Sequence, residues 1–112
     1  MKAPDEADFA WIVQRICSCS RPQAVYLFGS WALGQGHARS DIDLLIVEPS
    51  RMAQRWRGRQ VANALAPYPR SFDLLFYTPE ELEEQRADPA SFASTIMTRA
   101  RRLYPQSLQA RR

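Results

Sequence analysis

The chain is short of cysteine, histidine and lysine, and each shortage excludes something. Its two cysteines, Cys17 and Cys19, lie too close together for a disulfide framework, and with a single histidine, His37, they cannot complete a zinc site. No apolar run approaches the ~18 residues that a membrane span needs. The first residues, Met1-Lys2-Ala3-Pro4-Asp5-Glu6, place acids where a signal peptide has its apolar stretch. Repeats, linkers and low-complexity segments are absent as well. These absences predict a soluble, reduced, cytoplasmic domain with no membrane partner.

What is present is an ordinary globular mixture, 46% hydrophobic and 24% charged, in 112 residues, enough for one real core and too few for two domains. Lysine occurs once, at Lys2, so nearly all positive charge is arginine, the side chain suited to phosphate and carboxylate forks. The net charge of +3 conceals blocks: residues 51–70 hold five Arg and no acid, residues 71–98 hold one Arg and six acids, and residues 99–112 hold five Arg. Most such charge is solvated surface. A net +3 argues only weakly for nucleic acid, which is not expected as a direct substrate.

Periodicity orders the elements. Phe9, Ile12, Val13, Ile16 and Cys17 form one apolar stripe of a helix over 5–19, with Asp5, Glu6 and Asp8 at the positive end of its dipole and Cys17 expected in the core. Ala24-Val25-Tyr26-Leu27-Phe28 is a strand buried on both faces, followed by Gly29 and a short helix beginning at Ser30. Residues 34–40 are loop, and Asp41 to Val47 is a second strand. A helical region is predicted over 50–66, N-capped by Ser50, with Ala53, Trp56, Val61 and Ala64 on one arc. Arg51, Arg55 and Arg59 lie on the opposite arc, Arg57 projects into the apolar arc, and Gly58 marks a bend or break. Ser71 to Tyr77 is a third strand. Thr78-Pro79-Glu80-Glu81 then starts a helix, and a last helix is expected from Ala90 to Leu103. Trp11 and Trp56 fit core or interface anchors better than cofactor contacts. The order predicts one small α/β domain over residues 1–105, a mixed sheet of three to four strands with helices packed on it, and an Arg-containing tail over 106–112.

Three acids interrupt this apolar pattern. Asp41 and Asp43 are two apart on a strand and project to one face; Asp73 interrupts the third strand in the same way. A single Asp at a strand start is usually a cap or turn residue. Asp43 and Asp73, flanked by Ile42, Leu44, Phe72 and Leu74, resist that reading because burial of an unpaired carboxylate is costly. On neighbouring strands the three would converge, and like charges ~4 Å apart repel by about 4 kcal/mol at an effective dielectric near 20. Such a group needs protonation or a cation, and an all-oxygen set suits Mg²⁺ or Mn²⁺. Gly29-Ser30 supplies a complementary anion cradle where a strand ends in glycine and a helix begins. It matches neither the Walker A loop nor GxGxxG, and a lone Gly-Ser is most often an N-cap.

Together these residues form GSx10DxD, written out as Phe28-Gly29-Ser30-Trp31-Ala32-Leu33-Gly34, then Ser40-Asp41-Ile42-Asp43-Leu44-Leu45-Ile46-Val47. This resembles the DNA polymerase β-like nucleotidyltransferase superfamily and, within it, the minimal nucleotidyltransferases. Phe72-Asp73-Leu74-Leu75 is similar to that family's third carboxylate strand, and the segment ending Arg101-Arg102-Leu103-Tyr104 to its C-terminal end. The resemblance implies the polymerase β-like fold and transfer of a nucleoside monophosphate, AMP from ATP, with pyrophosphate leaving. It implies phosphate binding by Gly29 and Ser30, two Mg²⁺ ions ligated by Asp41, Asp43 and Asp73, and help from Asp73 in deprotonating the incoming hydroxyl. Arg39 and His37 could reach phosphate from the loop, Arg39 being the candidate nucleotide contact, although loop residues of this kind are more often simply exposed to solvent. Trp31 departs from the polar or basic residue the family often carries there. Small relatives of this kind resemble antitoxins that adenylylate a tyrosine of a helical HEPN-type RNase toxin. Alternatives are a small-molecule nucleotidyltransferase and a non-catalytic toxin-binding module. Arg51, Arg55 and Arg59, with Arg101, Arg102, Arg111 and Arg112, are the expected docking surface for an acidic partner, away from the carboxylates.

Overall fold

The structure is a computed structural model that describes residues 3–52 and 57–105. Its first helix, α1 (Glu6–Cys19), opens with a capping box in which the Asp8 N–H donates to Asp5 Oδ1 and the Asp5 N–H donates to Asp8 Oδ2, both at 2.9 Å. There follow β1 (Ala24–Phe28), the single turn α2 (Gly29–Ala32), β2 (Ile42–Val47), α3 (Arg59–Leu65), β3 (Phe72–Tyr77), α4 (Pro79–Arg86), α5 (Phe92–Met97) and β4 (Arg101–Tyr104).

The four strands form one mixed sheet in the order β3-β2-β1-β4. β1 runs antiparallel to both β2 and β4, while β2 and β3 run parallel. Alternation along each strand then builds two cores. Val25, Leu27, Ile42, Leu44, Ile46 and Phe76 face α1 and α3, meeting Phe9, Ile12, Ile16, Val61 and Leu65. Ala24, Leu45 and Val47 face the other way, onto Leu82 of α4 and Ala93 and Ile96 of α5. Among the described residues, no helix is long and apolar enough to cross a membrane.

Three expectations are corrected. Among the described residues, the helix predicted over 50–66 is Arg59–Leu65, with Gly58 and not Ser50 at its N-cap; Ser50 Oγ accepts the Met52 N–H at 3.0 Å. Gly58 sets the boundary: its φ of 84° is left-handed, and a Cβ there would run into the Phe76 ring. Arg57, just before it, is tied down, donating from Nη1 and Nη2 to the two Glu81 oxygens at 2.7 and 3.1 Å and from Nε to Met52 O at 2.9 Å. The helix expected to run from Ala90 to Leu103 spans Phe92–Met97, and the residues from Arg101 onward form the edge strand β4. Cys17 is exposed, because α1 meets the sheet along Phe9, Ile12 and Ile16 and leaves Cys17 on the flank. Trp11 is half-buried against the core, 5.6 Å from the Tyr68 ring and 5.2 Å from the Arg15 guanidinium. Ala53, Arg55, Trp56 and the tail over 106–112, with Arg111 and Arg112, lie outside the described residues.

Candidate active site

The sheet assembles the motif residues from separate segments. Phe28, the last residue of β1, is in register with Asp43 of β2, and Asp43 is in register with Asp73 of β3. Since Ile42 and Leu44 point to the α1–α3 core, Asp43 points to the opposite face, and the parallel pairing sends Asp73 the same way. Asp41 stands one residue ahead of β2, next to Ile42, whose N–H donates to Ser71 O at 2.9 Å. The segment leading to Asp73 is therefore stitched to the segment leading to Asp43.

After Phe28 the chain turns sharply at Gly29, where φ is +72°. A Cβ at this position would fall onto the Asp43 carboxylate, so only glycine permits the turn and the close approach together. Ser30 follows in the first turn of α2, half-buried, where backbone N–H groups have no intrahelical partner. Because α2 is one turn long, the helix dipole adds little; what the cradle offers is N–H groups and the Ser30 hydroxyl.

The carboxylates influence one another. Burial pushes the Asp43 carboxyl up to about 6, and the charges of Asp73 and then Asp41 push in the same direction. Asp43 is half-buried, but Asp73, which its apolar neighbours in the sequence group with Asp43, is exposed because β3 is an edge strand, and Asp41 is exposed too. Among the described residues, no three His, Cys, Asp or Glu side chains close around a point that could hold a metal ion. The three carboxylates are instead an open, oxygen-only set. That suits Mg²⁺, which keeps several waters and takes one or two carboxylates together with substrate phosphates. Asp41, Asp43 and Asp73 are the residues that would hold it.

The loop before Asp41 is ordered by its own bonds. The Ser40 N–H donates to His37 O at 2.9 Å, the His37 N–H to Ser40 Oγ at 3.0 Å, and the Arg39 N–H to His37 Nδ1 at 3.2 Å. The His37 ring thus serves the turn, and the Arg39 side chain is exposed on it. Trp31 points back at the same loop: its Nε1 donates to Ser40 O at 3.3 Å, and the Arg70 guanidinium lies 4.9 Å over its ring. Arg70 had no distinguishing signal in the sequence beyond membership of a basic block. A cavity of about 350 Å³ beside Glu48, Met52, Arg57, Val61 and Phe76 lies at the other end of β2 and β3 and contains none of the motif residues.

Antiparallel pairing sets Arg101 of β4 opposite Leu27, on the α1 face of the sheet, with β1 between it and the strand that carries Asp43. Arg101 is engaged with Glu6 by a salt bridge and lies 5.5 Å over the Phe9 ring, whereas Arg102, Arg51 and Arg59 are exposed.

Comparison with known proteins gives a consistent picture. A family described as a nucleotidyltransferase domain matches residues 10–104. A solved toxin–antitoxin structure with AMP-PNP superposes with a TM-score of 0.65 at 21% identity, covering 92% of this chain and 77% of that one. A mutant of the toxin–antitoxin MntA-HpeT superposes with a TM-score of 0.63 at 16% identity, covering 91% and 76%. No curated protein sequence matches the chain.

Proposed function

The chain belongs to the nucleotidyltransferase domain family, and from that premise we propose that it transfers AMP from ATP to a hydroxyl of a protein acceptor, a tyrosine of a cognate HEPN toxin, and acts as its antitoxin. The observation that carries this reading is the Asp43 carboxylate, pressed against Gly29 and raised by burial and then by the charges of Asp73 and Asp41. The fold shared with toxin–antitoxin structures, one of them with AMP-PNP, supports the nucleotide and the partner.

In this proposal the Gly29 and Ser30 N–H groups and the Ser30 hydroxyl bind the β- and γ-phosphates of the triphosphate, with Arg39 reaching them from the loop. Asp41 and Asp43 hold the divalent ions, and Asp73 completes the set. Two bound Mg²⁺ ions, or Mn²⁺, supply the positive charge that lets a triphosphate approach three carboxylates and that stabilises the attacking and leaving oxygens. Asp73, exposed on the edge strand, accepts the proton of the incoming hydroxyl as its oxygen bonds to the α-phosphorus and pyrophosphate leaves.

The test is to incubate the protein with its genomic-neighbour toxin, ATP and Mg²⁺ and to follow the intact mass of each chain. A gain of one AMP on the toxin, abolished by EDTA, is expected. No gain with any of the four ribonucleoside triphosphates overturns the transfer reading. Calorimetry locates the nucleotide: binding should be weak in EDTA and strong in Mg²⁺, and equal affinity in both would place it away from the carboxylates.

A further inference from the structure

We propose that Arg70, stacked on Trp31, is a positioning residue that fixes the turn delivering Asp41 to the site. The proposal rests on the nucleotidyltransferase reading for its chemistry and on geometry for its contacts. Arg70 Nη1 lies 3.1 Å from Ala38 O and 3.3 Å from both His37 O and Ser40 O, so its two N–H bonds are shared among three carbonyls of one turn. Its guanidinium stacks 4.9 Å over the Trp31 ring, and the Trp31 Nε1 donates to the same Ser40 O at 3.3 Å. The backbone of Gly36 lies against this indole so closely that a Cβ there would overlap it.

The arrangement matters because of where each member sits. Asp41 precedes β2, so the sheet ladder that fixes Asp43 begins only after it. The 37–40 turn is closed internally, and a closed turn can still swing as a unit unless something anchors it. Arg70 stands three residues before Asp73, and Trp31 follows Ser30 directly. One stacked pair therefore joins the phosphate cradle, the turn before Asp41 and the approach to the third carboxylate. A guanidinium does this better than an ammonium, because its plane lies flat on an indole while its edge donates to carbonyls. It also accounts for a tryptophan next to the cradle: Trp31 is turned onto the loop.

The test uses the full-length protein with Arg70→Gln, Arg70→Lys and Trp31→Phe. Hydrogen exchange at the amides of residues 36–41 reports the anchor without any activity. Mn²⁺ affinity by electron paramagnetic resonance and the Mg²⁺ dependence of transfer report its consequence. Arg70→Gln should speed exchange in 36–41, weaken Mn²⁺ several-fold and lower kcat by about 10–100-fold, the scale of a small misplacement, while the triphosphate KM changes little. Trp31→Phe keeps a ring for the guanidinium but loses the indole donor, and should fall between wild type and Arg70→Gln; Arg70→Lys should fall there too. Should Arg70→Gln not fold, the other two variants carry the same readouts. Wild-type exchange, Mn²⁺ affinity and kcat in a folded Arg70→Gln protein would overturn the proposal, as would equal losses in kcat and KM that follow thermal stability alone. If wild type itself shows no metal-dependent transfer, the functional reading fails, and the exchange data still decide whether Arg70 anchors the turn.

Discussion

Glu81 and Asp43 are both carboxylates at the margins of the same sheet, and their surroundings differ in sign. Glu81, just beyond β3, receives two hydrogen bonds from Arg57 and one from the Thr78 N–H, and these hold its carboxyl below the usual range, the Arg57 bonds contributing most. Asp43, at the opposite end of β2, is raised to about 6 by burial and by two further carboxylates, with no cation among the causes. A carboxylate that serves the fold is neutralised by the fold itself. One raised by burial and by two like charges is arranged for something that comes from outside.

Breaking the second member of this pair should have the largest effect. Asp43→Asn should lower transfer by at least about 10²–10³-fold, the scale of losing one group that stabilises charge in a transition state, in a protein that still folds. Transfer rate beside a circular-dichroism melt checks both halves. Gly29→Ala should come next: the left-handed φ and the overlap with Asp43 should cost about 2 kcal/mol in urea unfolding and should weaken triphosphate binding as well. Arg57→Ala attacks the first member, and should destabilise by about 1 kcal/mol while leaving Mg²⁺-dependent triphosphate affinity unchanged.

Acid titration sharpens the contrast, because the two groups contribute with opposite sign. Asp43 has a folded value of about 6 against an ordinary 3.8, so its ionisation costs stability above pH 6 and its protonation restores it as the pH falls toward 3.8. Metal-free Asp43→Asn should therefore be more stable than wild type at pH 7, by about 1 kcal/mol after solvent screening, and the gain should vanish near pH 4. Glu81 is shifted downward from 4.5, so its contribution is present above that value and fades as the pH falls through its folded value. Glu81→Gln should be the less stable protein at pH 7, and its deficit should shrink in acid. Melts at a series of pH values separate the two. The smallest effect is expected on the surface: charge reversal at Arg51 and Arg59 should slow association with an acidic partner a few-fold at low salt and not at high salt.

The motif end of the molecule was legible because its chemistry violates its pattern. Asp43 and Asp73 stand where alternation calls for apolar residues or for a solvated face with no charge cluster, and Gly29 stands where a strand must turn within reach of a carboxylate. The C-terminal segment was misread for the opposite reason. Ala93, Ile96, Met97, Ala100 and Leu103 keep a helical spacing, yet β4 is a four-residue edge strand with one buried side chain, Leu103, too short to show a period of two. The break at Gly58 was visible, but not what fixes it: Phe76 of a distant strand fills the space beneath the glycine from which α3 starts. Arg70 was invisible for a similar reason. Three carbonyls and an indole select it, and none of them is a sequence neighbour.

The parallel pairing of β2 with β3 has a consequence for how this domain can change over evolutionary time. Asp43 and Asp73 meet because two strands are in register, and the register is held by the buried side chains of Ile42, Leu44, Leu45, Ile46 and Val47. The length of chain that leaves one strand and returns to the other is not what aligns them. Closing a longer excursion costs little, about 0.6 kcal/mol for each doubling. Residues inserted beside the exposed Met52 should thus leave the two carboxylates facing each other, making this crossover the place where a lineage can acquire new surface without disturbing its chemistry. Inserting a single residue within β3 ahead of Asp73 would turn that carboxylate to the other face of the sheet.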